Sequence, residues 1–312
     1  MTAATLKLIA FPGAPNLPIF AAIERGYFED AGVLVTLEAT PSSAYQIESL
    51  VNGEFRIAAT AFDNVVAYQE QQGAVQLAKE PDLFVVMGAT QLELSLVVSP
   101  DIQTYEDLRG RSLALDALET GFAFVLYHLL EHAGLEQVDY TPVAVGATPQ
   151  RWEAVKTAQH AGTLTIEPFT SAALANGFRV LATSSSVLKR YQGGIFTASR
   201  HWAANNADSL EAFICGYLQG LAWTLDEANY ADAVDLLRRR MPAIKAGVVD
   251  AVMGKLLGAD TGLTPLAALD PAGMQTVLDL RSRYARPAKP LTSPEPYLDL
   301  RYYERARNTG TR

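Results

Sequence analysis

The opening fifth of the chain alternates β-type runs with loop and helix signals at close spacing, and few folds accommodate that order. Thr5 to Phe11 is a short apolar run, broken by Pro12-Gly13-Ala14-Pro15-Asn16. Pro18 suits a first helical turn, Ile19, Ala22 and Ile23 supply its apolar stripe, and Gly26 ends it. Leu34 to Leu37 reads as a second strand, followed by Thr40-Pro41-Ser42-Ser43. Ser43 with Gln46 has the spacing of a capping box ahead of Ile47, Leu50 and Val51, and Gly53 closes that helix. Phe55 to Ala61 is a third strand, after which Asp63 or Asn64 is placed to cap another helix. Each strand thus ends in a loop that aims helix N-terminal N–H groups at one sheet edge. In an open α/β sheet that edge holds the ligand.

The alternation continues to about residue 200 and predicts a largely parallel sheet. Leu83 to Ala89 and Leu94 to Ser99 are apolar runs separated by Thr90-Gln91-Leu92-Glu93. Ser112 to Leu115, Gly162 to Ile166 and Arg179 to Ala182 add strands, and Thr120 to Ala133 a helix closed by Gly134. Gly193-Gly194 gives a flexible approach to Ile195-Phe196-Thr197. Beyond residue 205 the pattern is helical. Asp208 is set to cap one helix, and Asp270-Pro271 opens another that reaches Tyr284. An extended linker at Arg286 to Pro290 precedes a last short helix to Ala306. With 312 residues, 49% of them hydrophobic, the chain can fill two lobes, although alternation alone also fits one large domain.

A net charge of −9 argues against nucleic acid or an anionic membrane as partner. No run approaches the roughly 20 apolar residues that span a bilayer, so no membrane insertion is expected. Cys215 is the only cysteine; it falls in the stripe of Leu210, Phe213, Ile214, Tyr217 and Leu221 and reads as a small buried residue, not a nucleophile. Met1-Thr2-Ala3-Ala4 lacks the charged start, apolar stretch and cleavage site of an export signal, so Met1 reads as a native start. The expected location is periplasmic if a signal has been removed, otherwise cytoplasmic.

The phrase Leu17-Pro18-Ile19-Phe20-Ala21-Ala22-Ile23-Glu24-Arg25-Gly26-Tyr27-Phe28, shortly before Gly32-Val33, resembles the start of type II solute-binding proteins. The group in question binds nitrate, taurine, alkanesulfonates and thiamine-pyrimidine precursors. Phe62-Asp63-Asn64-Val65-Val66-Ala67, Asp107-Leu108-Arg109-Gly110-Arg111 and Glu167-Pro168-Phe169 with Ala172-Ala173-Leu174 agree in order. The resemblance implies a two-lobe α/β fold with the ligand cleft between lobes. It divides the chain into residues 1–92 (first lobe), 93–193 (second lobe) and 194–312 (return to the first lobe, with C-terminal helices). It also implies an importer's permease subunits as partners, and no cofactor. Two crossings between the lobes are expected, near Ala89–Leu94 and near Gly193–Ile195.

His128-Leu129-Leu130-Glu131-His132 has the spelling of an inverted zinc peptidase, with both imidazoles on one helical face. Leu126, Leu129, Leu130 and Ala133 define the buried side, which leaves Glu131 and His132 solvated and far from the cleft loops. No metal is expected. His160 and His201 stand alone. Desulfinases and fungal-type thiamine-pyrimidine synthases on this scaffold use cysteines that these loops lack. An enzyme working through His, Asp or Glu, such as a decarboxylase or hydrolase of an aromatic or heterocyclic acid, is the alternative to a binding protein.

The loops after successive strands supply the candidate ligand residues: Phe11, Pro12, Asn16, Ser42, Ser43, Phe62, Asp63, Asn64, Thr90, Gln91, Asp116, Glu119, Thr120, Phe122, Arg151 and Glu167. Relatives that take sulfonate or nitrate tend to offer Gly and Ser at the fifth loop, whereas here it reads Asp116-Ala117-Leu118-Glu119-Thr120-Gly121-Phe122. Two carboxylates beside a dry cleft repel a bare anion unless protonated or paired. Asp116 and Asp63 equally suit helix caps. Arg151 could clamp a carboxylate bidentately or sit in solvent. Phe11, Phe62, Phe122, Trp152 and Phe169 suit either a planar ligand or the core. The expected solute is a small planar molecule rich in hydrogen-bond donors, an aminopyrimidine-like heterocycle ahead of a sulfonate.

Overall fold

Two five-stranded sheets carry the alternation in a computed structural model that describes residues 4–309; Met1, the expected native start, lies outside the described residues. The first sheet contains β1 (Ala4–Ala10), β2 (Val33–Ala39), β3 (Ile57–Ala61), β4 (Leu83–Thr90) and β10 (Gly194–Ser199), in the order β2-β1-β3-β10-β4. The second contains β5 (Ser95–Val98), β6 (Ser112–Leu115), β7 (Thr141–Ala144), β8 (Gly162–Thr165) and β9 (Arg179–Thr183), in the order β7-β6-β8-β5-β9. In each sheet four strands point one way. The fifth, β10 in the first and β5 in the second, runs antiparallel to both its neighbours. Each reversed strand is the one the chain enters on arriving from the other sheet. The largely parallel expectation therefore holds within each sheet, and the reversal marks the crossings.

The crossings touch one another. Gly193 donates its N–H to the Gln91 carbonyl at 3.2 Å, and a Cβ on Gly193 would overlap the Leu92 side chain, so only glycine permits this approach. The C-terminal segment buttresses them: the Gln91 N–H bonds to Gly262 O, and Thr264 N–H to Ala89 O. It also covers β4, which lies at a sheet edge yet is buried along its whole length. Leu298 bridges to Val85, and Tyr302 packs against Phe84. An exposed edge of this kind would otherwise invite pairing with another chain.

Helix Ala207–Leu225 buries Leu210, Phe213, Ile214, Tyr217 and Leu221, a 3.6-residue stripe, against the first sheet's outer helices. Its N-cap position is Asn206, not the expected Asp208 two residues on, which lies in the first turn. Cys215, on the same helix, is half-buried and donates to Ala306 O at 3.5 Å. Helix Pro271–Tyr284, capped by Asp270 as the sequence predicts, packs on both helix Phe62–Gln69 and helix Gly121–His132. It thereby joins the two sheets' layers behind the crossings. Of the zinc-peptidase spelling, Glu131 is tied to Arg283 and Tyr284, and His132 is exposed.

Capping differs from the sequence expectation at three further helices, again by a shift along the chain. Ser42, not Ser43, caps helix Ser43–Asn52, accepting the Tyr45 N–H at 3.2 Å. Thr120, not Asp116, caps helix Gly121–His132. Ala61 precedes helix Phe62–Gln69, so neither Asp63 nor Asn64 caps it. Ser42→Ala should cost about 1 kcal/mol in urea unfolding. Ser43→Ala should cost far less, because the Ser43 hydroxyl has no partner; equal losses would show that the cap is misassigned.

Candidate functional site

The C-terminal ends of the parallel strands in both sheets face one cavity of about 100 Å³. From the first sheet's loops come Phe11, Asn16, Ser43 and Asn64; from the second's come Asp116, Thr120, Phe122 and Arg151; Thr90 belongs to the crossing. Asn16 is anchored by its side-chain N–H to Phe11 O at 2.8 Å, and Asn64 by its side chain to Thr60 Oγ1 at 2.8 Å. These bonds fix the loops from within the wall. Besides those of Arg151, three polar atoms of the wall have no partner among the described residues: Ser43 Oγ, Thr90 Oγ1 and Tyr217 OH. A buried polar group left unpaired is unfavourable, so several such groups in one cavity wall suit a ligand with polar groups of its own.

Arg151 dominates the site. It lies in the first turns of helix Thr148–Lys156, only 2% exposed, and donates Nη2 to Thr148 Oγ1 at 2.8 Å. Its Nε and Nη1 have no partner. Burial pulls its pKa well below the ordinary arginine value, down to about 10, opposed only by the field of Asp116. Asp116 in turn accepts the Ser43 N–H at 3.0 and 3.3 Å. A carboxylate from the second sheet thus rests on the N-terminus of a helix belonging to the first, a favourable position for negative charge. Two backbone bonds cross the cleft beside it, Ala147 N–H to Pro41 O at 2.9 Å and Ala14 N–H to Glu167 O at 3.0 Å. They tie the loops of the two sheets together at its rim.

Seven candidates stand outside the cavity wall. Asp63 is 1% exposed and held bidentately by Arg281 at 2.6 and 2.7 Å, which removes it from the expected acidic side. Phe62 packs edge-on against Tyr297 in the core. Ser42 is occupied as a cap, and Gln91 serves through its backbone. Glu119 is exposed, with its carbonyl taken by Arg281. Pro12 lies beside the wall without lining it. Glu167 accepts the Ser171 N–H at 3.3 Å in a smaller recess shared with Lys255, and burial raises its pKa. Among the aromatic candidates, Phe11 and Phe122 line the cavity, whereas Trp152 packs on Phe178 and Phe169 joins the core beside it.

Thr60, Thr148, Ile166, Phe196 and Tyr217 also line the cavity. Thr148 was within reach of sequence reasoning, since a threonine one turn before Arg151 on a helix shares its face. Tyr217 was not, because its place in a buried stripe hides that it lines the cleft.

Two α/β layers, strand loops converging on a closed cleft and a double crossing define the type II periplasmic (solute-binding) fold. The chain belongs to the family described as NMT1/THI5 like, whose sequence profile matches residues 15–231. No curated protein sequence matches it significantly. Among solved structures it is similar to the periplasmic nitrate-binding protein NrtA from Synechocystis PCC 6803, with TM-score 0.83 and 14% identity over 98% of this chain and 89% of that one. It is also similar to the alkanesulfonate-binding protein SsuA from Xanthomonas axonopodis pv. citri bound to MOPS, with TM-score 0.75 and 18% identity over 96% and 99%. The desulfurization enzyme DSZB shares the fold at TM-score 0.66 and 12% identity over 98% and 99%.

Proposed function

We propose that this chain is the solute-binding component of an ABC-type importer and that its solute is a small organic anion with an apolar or planar body. Arg151 carries the reading. A dry guanidinium with Nε and Nη1 unpaired is relieved by a carboxylate or sulfonate that accepts from one of these two donors, which face different sides of the planar group. Phe11, Phe122 and Phe196 offer the body an aromatic wall, where a ring would gain roughly 0.5–1.5 kcal/mol per pair. The likeness to NrtA and SsuA supports import, with permease subunits as partners and the periplasm as the place of action once any leader is removed. Residues 1–92 with 194–312 would move against residues 93–193 by hinge closure about the two crossings.

The aminopyrimidine-like solute loses ground to the organic acid because Arg281 seals Asp63, leaving Asp116 as the acid in the wall. The enzyme alternative would have to work without cysteine or histidine, neither of which lines the cavity. Native mass spectrometry of protein purified without added solute is expected to show a retained small acid that denaturation releases unchanged. Conversion of that molecule during incubation with the protein would overturn the binding reading in favour of catalysis.

A further inference from the structure

Among the described residues, Arg151 and Asp116 are the only two formally charged side chains in the cavity wall, and each is incomplete. Arg151 keeps two donors free. Asp116 has about four lone-pair positions for acceptance, and its hydrogen-bond donor among the described residues is the single Ser43 N–H. The two are not within hydrogen-bond reach of one another, so neither completes the other. The exposed surface of the wall is mostly apolar, with Phe11, Ile19, Phe122 and Ile166 contributing to it.

Resting on the solute-binding reading, we infer that the solute is zwitterionic: an anionic head on Arg151 and, a short apolar spacer away, a protonated nitrogen donating to Asp116. A bare anion would complete Arg151 but set a second negative charge in the same closed cavity as Asp116, where low dielectric magnifies repulsion. A bare cation would do the reverse. A molecule carrying both charges pairs each wall group with its opposite and leaves the cavity's formal charge unchanged. Asp116 is then a specificity-determining residue, and its bond to the Ser43 N–H aims it from one lobe across the mouth of the other's helix. The same bond means that the nitrogen is read only when the cleft is shut.

The test uses matched pairs on the full chain by titration calorimetry: 3-aminopropanesulfonate against propanesulfonate, and 4-aminobutyrate against butyrate. In the wild type each amino compound should bind about 10- to 100-fold tighter than its partner, the range for a hydrogen bond to a charged group. Asp116→Asn keeps an acceptor for the Ser43 N–H and should fold normally. In that variant the amino preference should fall to about threefold or less. Tighter or equal binding of the amine-free acids by the wild type would overturn the zwitterion and leave the solute-binding reading standing. An amino preference that survives in a folded Asp116→Asn would overturn Asp116's role. Absence of binding by all four compounds to folded wild type would overturn the inference together with the reading beneath it.

Discussion

Asp63→Ala is expected to destabilise the protein by about 3–5 kcal/mol, because it strands a charge that has no route to water. Arg281 is fully buried, and its guanidinium is satisfied by Asp63 at 2.7 and 2.6 Å, Glu119 O at 3.0 Å and Gln72 O at 3.3 Å. The ring of Phe124 lies 4.9 Å beneath it. Taking away the carboxylate leaves two donors unpaired in the interior, and the loss is mostly the desolvation of the remaining arginine. Arg281→Met alone should cost less than Asp63→Ala, since the stranded carboxylate can protonate. The double variant Asp63→Leu with Arg281→Met should recover much of the stability, as buried pairs replaced by apolar side chains often do. Urea unfolding of the four proteins measures this cycle. A loss below about 1 kcal/mol in Asp63→Ala would mean that water reaches the pair.

The pair also explains how the second-sheet loop finds its place. Glu119 O is held by Arg281, and a Cβ on Gly121 would lie 2.6 Å from the Asp63 Cβ, so the start of helix Gly121–His132 is pressed directly onto Asp63. That contact sets Thr120 and Phe122 in the cavity wall. Affinity should therefore fall in Asp63→Ala by this indirect route, even though the side chain never meets solute.

Much of the fold was legible because it is written in local patterns: apolar runs of strand length, glycine stops, and proline at first helical turns. The two crossings could be read from the Thr90 break and Gly193-Gly194. The cap positions were missed by one or a few residues, because Ser42-Ser43 and Asp116…Thr120 offer several competent side chains and only the backbone angles decide among them. The site was legible as a set of loops and illegible as a set of pairings. Asp63 and Arg281 are 218 positions apart, Ser43 and Asp116 are 73 apart, and no periodicity links either pair. A carboxylate on a strand-end loop looks the same whether it awaits solute, caps its own helix or receives a distant arginine. Long-range packing makes the choice.

Arg151→Met should move stability and affinity in opposite directions. The folded-state pKa of about 10 lies well below the ordinary arginine value, so the unfolded chain holds this proton more tightly than the folded one. The stability this group could lend exists only at pH above its ordinary value and is lost as pH falls through about 10, so at neutral pH the full penalty is in force. At ~1.4 kcal/mol per pH unit it is on the order of 3 kcal/mol. Methionine keeps most of the apolar stem and removes the charge, so the solute-free protein should gain roughly 1–3 kcal/mol. The same change deletes the groups that complete the solute's anion, and affinity should fall by about 2–5 kcal/mol, roughly 30-fold to several thousandfold. Thermal melts with and without solute read both effects at once. The variant should melt higher than wild type alone, and the solute-induced rise seen in wild type should vanish. A variant that is less stable than wild type and still binds would make Arg151 a piece of the core rather than the residue around which the cleft is built.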